Sequence, residues 1–69
     1  MRNTTKLKNL LQLYSVSFDM DDEGNFHLTM NNKKDHTTQT VIDKTYTVVV
    51  EKAFRSMVKK IREETNERD

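Results

Sequence analysis

Tyr14-Ser15-Val16-Ser17-Phe18-Asp19-Met20, then Asp21-Asp22-Glu23-Gly24-Asn25, then Phe26-His27-Leu28-Thr29-Met30 is the stretch that decides the fold. Its first and last parts alternate apolar with polar residues. That period of two places one side of a strand on a core and the other toward water. The middle part is polar and holds the only glycine of the chain, Gly24, next to Asn25. Gly and Asn adopt positive φ at the least cost, which a tight turn between paired strands demands. The stretch therefore predicts a β-hairpin.

On the N-terminal side, Leu7, Leu10, Leu11 and Tyr14 recur at i, i+3, i+4 and i+7, the spacing of one helix face. A first helix of about three turns is expected there, with Thr4 or Thr5 as its N-cap; a helix so short must be held by tertiary contact. On the C-terminal side, Asn31 to His36 forms a second polar turn. Thr37 to Asp43 follows, rich in Thr with Val41 and Ile42, and reads as a third, edge strand. Its weak alternation assigns neither side to the core.

From Thr45 the period returns to 3.6. Tyr46, Val49, Val50, Ala53, Phe54, Met57 and Ile61 share one face of a long helix that ends near Glu64, with Thr45 as N-cap. The β-branched run Val48-Val49-Val50 also suits a strand, but only a helix gathers the stripe through Ile61 onto one side. The expected fold is α+β: a two-layer αβββα domain, in which a three-stranded antiparallel meander carries both helices on one face.

The chain has 69 residues, 33% of them charged and 33% hydrophobic. That length makes one domain, residues 1–69, near the size at which a single core is barely sufficient. The absence of cysteine excludes thiolate chemistry, disulfides and cysteine-bound zinc. The polar start Met1 to Lys6 leads to no expectation of a signal peptide. The longest apolar run, Val48 to Val50, is too short to span a bilayer. The cytoplasm is the expected location, with no membrane partner.

Asp19-Met20-Asp21-Asp22-Glu23-Gly24 resembles the opening of a calcium loop, but the twelfth position, where a bidentate acid must close the site, is Met30. A solvated acidic turn is the better reading. The two histidines, His27 on the exposed sheet face and His36 in a turn, stand at no spacing that orients a nucleophile. No enzymatic activity, metal or cofactor is expected.

Charge is unevenly spread around a net of +1. Residues 1–18 hold Arg2, Lys6 and Lys8 without an acid, and residues 19–25 hold Asp19, Asp21, Asp22 and Glu23 without a base. Lys52, Arg55, Lys59 and Arg62, at i, i+3, i+7 and i+10, form a basic row opposite the apolar stripe. With Lys6 and Lys8 such a row could meet phosphates; as a solvated face it would pair with Glu51 and Glu63. The tail then turns acidic at Glu63, Glu64, Glu67 and Asp69. Val48 and Val58 lie off the centre of the core stripe and Leu13 points away from Leu7 and Leu11, so these residues are candidates for an interaction seam.

The αβββα order in about seventy residues resembles the double-stranded-RNA-binding domain. That resemblance implies RNA contact through the first helix, the first hairpin loop and lysines opening the second helix. Here Lys6 and Lys8 stand on the first helix, but the loop is Asp21-Asp22-Glu23-Gly24 and the second helix opens Thr45-Tyr46-Thr47-Val48-Val49, flanked only by Lys44 and Lys52. The departures fall where phosphate would be met. The leading expectation is thus a small non-enzymatic interaction module whose partner is another protein or a second copy of the chain. The alternative is nucleic-acid binding through the basic helix face.

Overall fold

The computed structural model describes residues 2–67, with side chains described through residue 64. The acids Glu67 and Asp69, noted in the sequence as part of an acidic tail, lie outside the described side chains. The chain runs α1 (Asn3–Leu13), β1 (Tyr14–Met20), β2 (Phe26–Asn32), β3 (Thr38–Asp43) and α2 (Tyr46–Glu67). The strands form one antiparallel sheet in the order β1-β2-β3. This is the expected αβββα arrangement.

The hairpin forms where alternation and turn chemistry placed it. Val16 pairs with Met30 and Phe18 with Leu28, and the N–H of Gly24 donates to the carbonyl of Asp21 at 3.1 Å. Gly24 has φ +85°, the left-handed region in which a Cβ is strained. Asp21 shapes the rest of the turn: its Oδ1 accepts the backbone N–H groups of Glu23 and Asn25, both at 2.9 Å.

Register across all three strands settles which side of β3 is inward. Leu28 lies between Phe18 and Val41, and Met30 between Val16 and Gln39, so these rows face the helices. The Ser56 hydroxyl of α2 donates to Gln39 Oε1 at 2.8 Å, which ties this edge to the helix layer. The other sheet face carries Ser17, Thr29 and Thr40 in one row and Asp19, His27 and Ile42 in another. Both helices leave that face to solvent.

The core gathers Leu10 and Tyr14 with Leu28, Met30, Val41, Val49, Val50, Ala53 and Met57. On α2 the buried positions follow i, i+1, i+4 and i+8, one side of a 3.6-residue helix. Thr45 caps it as expected, its Oγ1 accepting the Val48 N–H at 3.3 Å. A helix of 22 residues rises about 33 Å, whereas a strand of seven covers about 23 Å. α2 therefore overruns the sheet, which is why Ile61, though in the stripe, is exposed.

Several expectations need correction. Thr4 and Thr5 lie inside α1; the N-cap is Arg2, extended and without a side-chain cap bond. Leu11, placed by spacing on the same face as Leu10, is 45% exposed, while Leu10 is fully buried. α1 passes directly into β1, Tyr14 having strand dihedrals while its N–H still bonds the Leu10 carbonyl. Phe18 and Met20, on the helix-facing side of β1, are 41% and 54% exposed. β1 is thus buried at its Tyr14 end and open toward the hairpin tip.

Candidate interaction groove between the helices

α1 and α2 run side by side in the same direction. Asn3 Nδ2 donates to Thr47 Oγ1 at 3.1 Å near both N-termini, and one turn further the Lys6 ammonium pairs with Glu51. Beyond that pair the helices leave a groove of about 330 Å³. Its floor is Phe54 and Val58, one turn apart on α2, both half-buried and packed against the core. Its rim is cationic: Lys6 from α1, and Arg55, Lys59 and Arg62 from α2. The last three stand at i, i+4 and i+7 and so form one row beside the floor.

Glu51 organises the upper end. Its Oε1 accepts from Arg55 Nε at 2.9 Å while its other oxygen meets Lys6. Hydrogen bonding from Lys6, with a smaller contribution from Arg55, holds the Glu51 carboxyl below its ordinary range against the opposing effect of burial. Lys59 and Arg62 carry no ion pair or hydrogen bond among the described residues. They are the cations the groove offers to an outside group.

The structure divides the basic row that the sequence laid along one helix face. Arg55, Lys59 and Arg62 stay together, and Lys6 joins them from α1. Lys52 leans to the sheet instead, its Nζ 2.8 Å from Asp43 Oδ2, and holds that carboxyl below its usual range. Lys60, outside that row, pairs with Asp35 and keeps it strongly acidic. Lys8 is exposed on α1 and lines no part of the groove. Of the two valines set apart from the stripe, Val58 is the groove floor and Val48 is exposed near the start of α2.

The acidic turn read from the sequence has an apolar side that the sequence did not reveal. At the hairpin end, Phe18 and Met20 sit beside Asp19, Asp21, Asp22 and Glu23, all exposed. The Phe18 ring lies 5.7 Å from that of Tyr46 at the start of α2, and Phe26 lies 6.3 Å from it on edge. His27 Nε2 stands 2.9 Å from Asp21 Oδ2. That contact, with the backbone N–H of Asn25, lowers the Asp21 pKa to about 2. The tip is acidic and apolar together; β1 alternation marked its side but not its exposure.

No group of three or more His, Cys, Asp or Glu side chains that could hold a metal ion is present among the described residues. No helix there is long and apolar enough to cross a membrane. The chain matches no known family model, no curated protein and no solved structure. Chemically, the groove presents ammonium and guanidinium groups, one carboxylate already paired, and an apolar floor. Such a lining holds a surface that is anionic and partly apolar.

Proposed function

We propose that this protein is a non-enzymatic interaction module that receives an acidic, apolar-bearing protein segment in the groove between α1 and α2. The observation that carries this reading is the apolar floor, Phe54 and Val58, directly beside Lys59 and Arg62, which have no ion-pair partner among the described residues. An apolar floor rewards burial of side chains and gives no return to a phosphodiester backbone. Nucleic acid also needs many free cations, because its affinity grows with each phosphate neutralised. In the basic row, Lys52 is held by Asp43, and Arg55 shares Glu51 with Lys6 of α1.

Fluorescence anisotropy tests the reading with two labelled peptides of equal charge, one of glutamates with interspersed leucines and one of glutamates with serines. The leucine peptide is expected to bind, and the serine peptide to bind more weakly. Lys59→Glu with Arg62→Glu should abolish both. Equal binding of the two peptides, or tighter binding of a duplex RNA of the same length at 150 mM salt, would refute it.

A further inference from the structure

The hairpin tip and the groove are complementary to one another in two independent respects. The tip presents Asp22 and Glu23, exposed and without described ion-pair partners, next to the exposed apolar side chains of Phe18 and Met20. The groove presents Lys59 and Arg62 next to Phe54 and Val58. Charge meets opposite charge, and apolar surface meets apolar surface. The turn is also internally bonded without any partner, since Asp21 ties the backbone of Glu23 and Asn25 and the ring of His27 into one set. A preformed tip loses little conformational entropy on docking.

The two surfaces cannot meet within one molecule. The tip packs at Tyr46, the first residue of α2. Lys59 lies thirteen residues further along the helix, roughly 20 Å at 1.5 Å per residue. We propose that the occupant of the groove is the hairpin tip of a second copy of this chain. This inference rests on the interaction reading above and names the partner. The tip stands at the start of α2 and Lys59 and Arg62 lie past its middle, so an antiparallel pair lets each tip enter the other copy's groove. The contact is then made twice and closes on itself as a two-fold dimer.

Sedimentation of the full chain tests it, using two charge-reversed variants, Asp22→Lys with Glu23→Lys and Lys59→Glu with Arg62→Glu. All the changed side chains are solvent-exposed, and far-UV circular dichroism verifies that each variant is folded. The parent should dimerise in a concentration-dependent way that weakens between 50 and 500 mM salt, about the range over which screening rises from moderate to near-complete. Each variant alone should be monomeric, since tip and groove then carry like charge. An equimolar mixture should regain the dimer, because both contacts are again between opposite charges. A parent that stays monomeric at millimolar concentration, a dimer indifferent to both variants, or a mixture that stays monomeric overturns the proposal. The leucine–glutamate peptide separates the two failures. A monomeric parent that still binds it through Lys59 and Arg62 leaves the interaction reading standing without self-association, whereas a parent that binds neither removes both.

Discussion

Replacing Asn32 with alanine should destabilise the protein by about 1.5–2 kcal/mol. Asn32 ends β2 and is the one polar residue buried among the described residues, at 9% exposure. Its Oδ1 accepts the backbone N–H of Lys34 at 2.8 Å and of Asp35 at 3.2 Å. Its own N–H and C=O bond Thr37 and His36 across the same turn. Alanine keeps the two backbone bonds and removes both side-chain bonds. A net hydrogen bond is worth about 1 kcal/mol, and the longer of these two contributes less. Lys34 and Asp35 are exposed, so water can reach their freed N–H groups and the full desolvation penalty does not apply. For 69 residues total stability is roughly 3–10 kcal/mol, so the loss is readily measured. Urea denaturation followed by circular dichroism should show a lower midpoint with unchanged slope. Asn32→Asp, which keeps an acceptor in place, should lose less than half as much. A loss below ~0.3 kcal/mol for the alanine variant, or equal losses for the two, would refute this account of the turn.

Leu10→Ala should cost about 2–5 kcal/mol and Leu11→Ala under about 1 kcal/mol by the same assay, because only the first is enclosed; equal costs would contradict the observed rotation of α1. Gly24→Ala should cost about 1 kcal/mol although its Cβ would meet nothing within 4 Å, since the strain lies in the φ of +85° alone. A neutral alanine there would mean the turn takes another form. Asp21 has its pKa lowered to about 2, first by His27. Its contribution is therefore complete above the ordinary carboxylate range and is lost as pH falls toward 2. His27→Ala should move the Asp21 titration, followed by carboxyl NMR shifts, upward; an unmoved midpoint would exclude the contact as its main cause.

The hairpin was legible because two signals agree there: strict alternation on both strands, and Gly24 where positive φ is needed. The inward side of β3 was not legible, because Gln39 and Thr40 are both polar and only pairing to Met30 and Thr29 assigns them to opposite faces. Phe18 and Met20 were misjudged for a different reason. Alternation reports which way a side chain points, and burial depends on whether another element reaches over it. The groove shows the same limit. Arg55, Lys59 and Arg62 could be aligned from spacing within one helix, but the arrival of Lys6 depends on how α1 docks. The diversion of Lys52 depends on where β3 places Asp43.

The absence of a loop between Leu13 and Tyr14 makes that junction a phase lock. An added residue taken up by the helix would rotate everything before it by about 100°, carrying Leu10 out of the core. Taken up by the strand, it would turn every β1 side chain to the opposite face. Neither rotation can be absorbed by slack, since the same residue ends the helix and begins the strand. Substitutions can accumulate on either side of this point, but insertions and deletions cannot, so chains descended from a common ancestor should keep a fixed count from Leu10 to Leu28 as far as the hairpin tip allows.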